Sequence, residues 1–330
     1  MKAIKTTEKV LNLLIDGEFH SGEQIGAALG ITRSAIWKAI QDLSKKYQLD
    51  VESVAGKGYR LPQKIELLDP ALISAELNTE DTVDNILVLD QIESTNDYLL
   101  SQIKSGNTAK IACFAEQQTQ GKGRRGRTWI SPFGHNIYHS LLCSFSKDTS
   151  EIMGLGLAIA VAVLEALREY GIEKGLALKW PNDIYHEGKK LAGILLEMSA
   201  QANDACQVVI GVGINTHLNP AEARVIDQPF TSLSAIEKQS VRRNQLAGIL
   251  LKHLIHAIKL FEKEGLSPFL IRWDPYDFLK NREIHLIMST KNITGIMRGI
   301  SERGALLLEV DGEIQPFFSG DTSVRPGAPA

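Results

Sequence analysis

Residues 121–136 read GKGRRGRTWISPFGHN, with Gly121, Gly123 and Gly126 threaded among Lys122, Arg124, Arg125 and Arg127. Four cations within six positions repel one another unless an anion sits among them. A glycine-rich loop also resists ordering from within, at about 1–2 kcal/mol of backbone entropy per residue. The stretch is therefore expected to be mobile in the free protein and to order around a phosphate-bearing ligand. Its spacing is G-x-G-x-x-G, but only half of the dinucleotide-binding context is present. KIACFAEQQ (110–118) reads as the strand, whereas Pro132, Gly134 and alternating strand-type residues follow Gly126. No helix N-terminus then faces a pyrophosphate, and no G-x-x-x-x-G-K-[ST] loop exists. Taken alone, the segment also fits a solvated basic surface loop.

It has companions. LALKWPNDIYHEGKKLAGILLEM (176–198) reads as strand, turn, strand, reversing at Glu187-Gly188-Lys189. That hairpin brings Lys190 beside Tyr185 and close to Lys179, Asn182 and Asp183, with Pro181 ending regular pairing. Such polar groups at the end of an apolar strand pair are costly unless they bind something. VVIGVGINT (208–216) is an apolar strand whose Gly211 and Gly213 permit close backbone approach. LDQIESTNDYLL places Ser94, Thr95 and Asn96 where a strand turns into a helix.

Other elements must position these groups. GLGLAIAVAVLEALREYG (154–171) reads as a core helix closed by Gly171, and NQLAGILLKHLIHAIKLFEKEG (244–265) as an amphipathic packing helix. His135 and His139 lie four apart in a strand-like run, where helical metal spacing does not apply, so structural or exposed roles are expected. At the N-terminus, Ser21 and Gln24 fit a capping box, Gly30 breaks the helix, and Thr32 caps a second one with Ile36, Ile40 and Leu43 inward. This is a helix-turn-helix layout. LDVESV and GYRLP, joined through Ala55-Gly56-Lys57-Gly58, add a wing. Gly22, Arg33, Ser34, Lys38, Gln41 and the wing-tip Lys57 are the DNA-binding candidates. Trp37 borders the core stripe and is expected to pack. Winged helices also serve as protein-interaction modules, and that reading stays open.

With 330 residues, 44% hydrophobic and 23% charged, the chain suits a multidomain soluble protein. The net charge of −3 hides an asymmetry, because residues 1–65 carry ten Lys/Arg against seven Asp/Glu. Three cysteines without C-x-x-C spacing indicate neither a disulfide framework nor a zinc site. No signal-peptide layout or membrane-length apolar run is seen, so a cytoplasmic location is expected.

Together, HSGEQ, ESTNDYLL, AEQQTQGKGRRGRTWISPFG, KWPNDIY, KKLAGILLE, IGVGIN and RGALLLEVDGEIQPFFSGDTSVR resemble the bifunctional biotin–protein ligases that repress the biotin operon. The resemblance implies that ATP and biotin give biotinyl-5′-adenylate, and that a lysine of biotin carboxyl carrier protein then attacks it. Mg²⁺ would assist the pyrophosphate. Carried onto this sequence, biotin contacts fall on Ser94, Thr95, Asn96, Gln118, Lys122, Gly123, Arg124 and Lys190. Arg127, Trp129, Asn182, Asn215 and Arg325 would lie on the nucleotide side. Arg124 and Lys190 would neutralise charge, and Asp183 would orient or deprotonate the incoming lysine. The family loop usually reads G-R-G-R-R-G, and Lys122 replaces its first arginine, losing the bidentate fork.

The implied architecture is α+β multidomain. A winged helix-turn-helix occupies 1–65, a class II aminoacyl-tRNA synthetase-like domain with a mixed sheet 66–272, and an SH3-like β-barrel 273–330. Adenylate-driven homodimerisation would present two heads to operator DNA. A regulator that only senses a small acid or nucleotide, and a lipoate ligase, are the alternatives.

Overall fold

The structure is a computed structural model describing residues 6–145, 152–200, 206–218, 224, 226–237, 240–288, 292–318 and 323–326. The head comprises α1 (Thr6–Leu14), α2 (Gly22–Leu29), α3 (Arg33–Tyr47) and the hairpin β1 (Glu52–Val54) and β2 (Gly58–Arg60). Ser21 Oγ accepts the Gln24 N–H at 3.1 Å while Gln24 Oε1 accepts the Ser21 N–H at 2.7 Å, completing the expected capping box. Gly30, at φ 66°, ends α2, and Thr32 caps α3. Val10, Leu14, Ile25, Ile36, Ile40 and Leu43 form the head's core, and α3 continues far enough to bury Tyr47 as well. Trp37 corrects the sequence reading. It does not pack but stands 59% exposed, because Ile36, Ala39, Ile40, Leu43 and Tyr47 already fill the inward side.

After the short α4 (Pro70–Ser74) comes a seven-stranded mixed sheet. Its members in chain order are β3 (Asn85–Leu89), β4 (Ile111–Ala115), β5 (Ile137–Phe145), β6 (Leu176–Lys179), β7 (Asp183–His186), β8 (Lys189–Ala200) and β9 (Cys206–Ile214). Spatially the order is β3-β4-β5-β9-β8-β7-β6, parallel only between β3 and β4. Period-two alternation sends Ile111 and Cys113 to one face, where Leu99 and Ile103 of α5 (Thr95–Lys104) meet them. Ala112 and Phe114 face the other way, into the large core built on α6 (Leu155–Tyr170). Beyond α7 (Leu233–Glu237), α8 (Arg243–Glu264) packs on α6, and α9 (Ser267–Trp273) follows. Gly171 closes α6, as expected, and Gly265 closes α8.

Asp81, in the loop before β3, is buried. It accepts the Asn78 N–H at 3.0 Å and lies 2.6 Å from His256 Nε2 on α8. Burial pushes its pKa up, but those partners outweigh burial and hold the carboxyl below its usual value. The resulting stability is present above the unfolded value of about 3.9 and is lost as pH falls through the lower folded value. Asp81→Asn is expected to flatten the acid limb of a urea-midpoint profile below about pH 4.

The C-terminal strands are β10 (Glu283–Ile287), β11 (Asn292–Ile300), β12 (Leu306–Val310), β13 (Glu313–Phe317) and β14 (Ser323–Pro326). They form one antiparallel sheet in the order β13-β12-β11-β10-β14, which is open among the described residues. Its Ile284, Leu286, Met297, Leu306 and Leu308 join the central core, and Trp180 donates its indole N–H to Gly304 O at 3.2 Å.

Candidate active site

The end of β4 leads into the glycine–arginine loop, whose shape follows from its glycines. Lys122 bridges to Thr128 across a short ribbon, and the Gly123 N–H reaches Arg127 O at 2.7 Å. The chain reverses in a tight turn at 124–126, with Arg125 and Gly126 both at positive φ (59° and 71°). No helix follows, so the absence of a dinucleotide turn stands.

The hairpin reversal falls on Glu187 and Gly188, at φ 47° and 77°, the geometry of a two-residue turn. The register pairs Tyr185 with Lys190, as the sequence predicts. Lys190 Nζ lies 2.8 Å from Asp183 Oδ1 and 5.4 Å from the centre of the Trp129 ring. Lys179 donates to Tyr185 Oη at 3.0 Å, and Asn182 accepts from Arg124 at 3.2 Å. Burial pulls the Arg124 guanidinium below its usual pKa; Asp183 opposes this, and Arg125 and Arg127 add to it. Lys122 moves the other way, raised by its 2.6 Å bond to Asp97.

Ser94 caps α5 by accepting the Asp97 N–H, which sets Thr95 and Asn96 on the first turn over the sheet. Thr95 donates its N–H and Oγ1–H to Gln118 Oε1, at 2.9 and 3.1 Å, and Gln118 donates to Ser131 at 3.1 Å. Asn96 donates to Glu197 at 2.7 Å and accepts from Ser140 at 2.6 Å. The Trp129 indole lies flat against Gly213, where an added Cβ would sit 2.5 Å from Cε2. Its Nε1–H is buried without a hydrogen-bond partner among the described residues. Asn215 donates to Thr231 O at 3.2 Å.

Most of these groups border one cleft of about 750 Å³. Ser94, Thr95, Asn96, Gln118, Lys122, Gly123, Arg124, Arg127, Trp129, Asn182, Asp183, Lys190 and Asn215 line it. Arg325 is in β14 opposite His285, beside the lining residue Val324, and its side chain lies outside the described residues. Sequence reasoning missed four contributors. Ser140 and Glu197 hold Asn96, a lone serine in the buried run IYHSLLC being the available signal. The segment 229–231 clamps Lys190 by backbone bonds from the Lys190 N–H to Pro229 O and from the Thr231 N–H to Lys190 O, each 2.9 Å. Phe278, stacked on Tyr185 at 5.2 Å, comes from the distant tail.

Neither histidine of the 135–139 run is exposed. His139 is buried and stacks on Phe114 at 4.2 Å, and burial drives its pKa down to about 3. His135 meets His217 edge-on at 5.0 Å. Among the described residues no cluster of three His, Cys, Asp or Glu could hold a metal ion, and no helix is long and apolar enough to cross a membrane.

On the head, Arg33, Ser34, Lys38 and Gln41 are exposed along α3, and Gly22 is half-buried at the start of α2. The wing carries exposed Lys57, whose Nζ lies 5.6 Å from the centre of the Phe19 ring; the Arg60 guanidinium lies 4.5 Å from the same ring.

Residues 88–215 match the biotin/lipoate A/B protein ligase family, 6–60 an HTH domain, and 281–325 the biotin protein ligase C terminal domain. The chain is 45% identical to the bifunctional ligase/repressor BirA of Escherichia coli (strain K12), over 96% of each chain. It is 32% identical to the protein of that name in Bacillus subtilis (strain 168), over 92% of this chain and 93% of the relative. The solved biotin protein ligase from Aquifex aeolicus in complex with biotin and ATP superposes with a TM-score of 0.63 at 30% identity. That match covers 74% of this chain and 100% of the Aquifex chain. With head, cleft and tail matched in order along nearly its whole length, the chain belongs to the bifunctional biotin ligase/repressor family.

Proposed function

We propose that the protein joins biotin to ATP as biotinyl-5′-adenylate, transfers biotin to a lysine of biotin carboxyl carrier protein, and represses transcription with the adenylate as corepressor. The observation that carries this reading is the single cleft in which Ser94–Asn96, the cationic loop, the Lys190 hairpin and the glycines of β9 converge. The substrate's own carboxylate is the first nucleophile and the acceptor lysine the second, so no Ser-His or Cys-His pair is needed. The protein must position the reactants, neutralise the α-phosphate and exclude water.

In this reading Ser94, Thr95, Asn96, Gln118, Lys122 and Gly123 hold biotin, with Arg124 and Lys190 at the junction with the phosphate. Arg127, Trp129, Asn182, Asn215 and Arg325 face the nucleotide. The unpartnered Trp129 N–H and the Gly213 shelf beneath its ring suit an aromatic, hydrogen-bonding ligand. Gly213→Ala is expected to displace the indole and raise the KM for ATP about tenfold, with the KM for biotin nearly unchanged, read by steady-state pyrophosphate release. Asp183, already 2.8 Å from Lys190, would orient the acceptor lysine. Asp183→Asn is then expected to slow transfer from preformed adenylate by at least tenfold, and an unaltered transfer rate would count against that role. Among the described residues no cluster of three His, Cys, Asp or Glu forms a cage for Mg²⁺, which would enter bound to the nucleotide phosphates.

We divide the chain at 1–65, 66–272 and 273–330 and read the tail as an SH3-like barrel. The centre is read as a class II synthetase-like domain, the protein as cytoplasmic and the adenylate-bound form as a homodimer. Gly22, Arg33, Ser34, Lys38, Gln41 and Lys57 are assigned to operator contact. Incubation with ATP, biotin and carrier protein, alongside electrophoretic retardation of DNA by the same preparation, tests both activities. A protein that shifts DNA but never biotinylates the carrier would be a sensor instead.

A further inference from the structure

Along α3 one large apolar side chain is exposed, where a DNA-reading helix needs chemistry. Trp37 is 59% exposed, and it follows Arg33 by four residues and precedes Gln41 by four. On a helix those three form one row. Ser34 and Lys38 make a second, polar row beside it, and all four flanking residues are exposed. Beyond α3 the wing contributes Lys57 and Arg60, both held over the Phe19 ring, with Arg60 also paired to Glu52 at 2.7 Å. An indole between Arg33 and Lys38 on the exposed face of α3 covers no core position, because Ile36, Ala39, Ile40, Leu43 and Tyr47 are buried without it. The face is complementary to a polyanion, and the major groove of duplex DNA presents one apolar group, the C5-methyl of thymine.

From this, we infer that Trp37 is a sequence-reading residue that packs on thymine methyls in the major groove, while Arg33, Lys38 and Lys57 engage phosphates or base edges. The inference rests on the reading of the head as a DNA binder and adds a base preference to it.

The test begins with full-length protein, ATP and biotin, used to select duplexes from a randomised pool. Each thymine of the selected sequence is then replaced by deoxyuridine, which removes only the methyl. Wild-type protein should lose about fourfold in affinity at one or more such positions, the value of one buried methyl-sized group. Trp37→Ala should bind the selected duplex about tenfold more weakly and lose that deoxyuridine penalty, leaving the response at other positions unchanged. Trp37→Phe should retain the penalty. Matching thermal melting curves for the three proteins would show that folding is not the cause, as expected for an exposed side chain. If Trp37→Ala selects the same sequence with the same deoxyuridine penalty, or weakens binding without altering the penalty, methyl reading is wrong while DNA binding stands. If the wild type enriches no duplex at all, the DNA-binding reading itself fails and takes this inference with it.

Discussion

Lys190→Met is expected to slow adenylate formation about 10²–10³-fold, the usual cost of removing one preorganised charge-stabilising donor from a water-poor site. The side chain is only 14% exposed, and three features hold it in place. Backbone bonds to Pro229 and Thr231 fix its strand position, Asp183 Oδ1 anchors the ammonium at 2.8 Å, and the Trp129 ring lies beside it. It enters the site already oriented, so little reorganisation is required when negative charge grows on the α-phosphate. Methionine keeps the length and apolar stem of the side chain, which confines the loss to charge. Because Arg124 is proposed to serve that phosphate as well, some activity should remain. Rapid-quench measurement of biotinyl-5′-adenylate over a single turnover is the check; a rate within threefold of wild type would remove Lys190 from the chemistry.

The largest stability effect is expected away from the cleft. The Arg243 guanidinium lies 2.9 Å from Glu116, with side-chain exposures of 4% and 3%, and donates to Asn136 O at 2.8 Å and Glu66 O at 2.5 Å. Glu116 also accepts the Leu68 N–H at 2.5 Å, and Asn244 binds Glu66 and Leu67 at 2.8 and 2.9 Å. The group therefore ties the connection between head and sheet to the first turn of α8. Arg243→Met strands a buried carboxylate and empties two carbonyl acceptors, and should cost about 3–5 kcal/mol. The double variant Arg243→Met/Glu116→Gln should recover part of that loss, since it leaves no unpaired charge. Urea unfolding of the three proteins decides the matter. A single variant within about 1 kcal/mol of wild type would mean that water or another group compensates.

Local features of this fold were legible because local chemistry sets them. Ser21 with Gln24, Gly30 and Thr32 determine the ends of α2 and α3, and the Glu187-Gly188 reversal determines that Lys190 faces Tyr185. The seven-stranded order and the site's far wall were not legible in the same way. Phe278 and Val324 reach the cleft through tertiary packing of a tail that follows about 80 residues after Lys190. The segment 229–231 carries no motif and acts through its backbone, which is nearly blind to side-chain identity. Trp37 illustrates the limit of periodicity. Its position on α3 lies beside the core row, and only the packed structure shows that the core closes without it.

The loop, the hairpin and β9 are read as a device that makes an activated acyl phosphate and keeps it from water until an amine arrives. The most direct test mixes enzyme in excess with limiting biotin and ATP, separates bound from free nucleotide, and then adds carrier protein. The expected result is adenylate retained on the protein at up to one per chain, decaying only when the carrier is supplied and appearing as biotin amide-linked to a carrier lysine. Adenylate that never forms, or that leaves the protein and hydrolyses at the same rate with or without carrier, would contradict it.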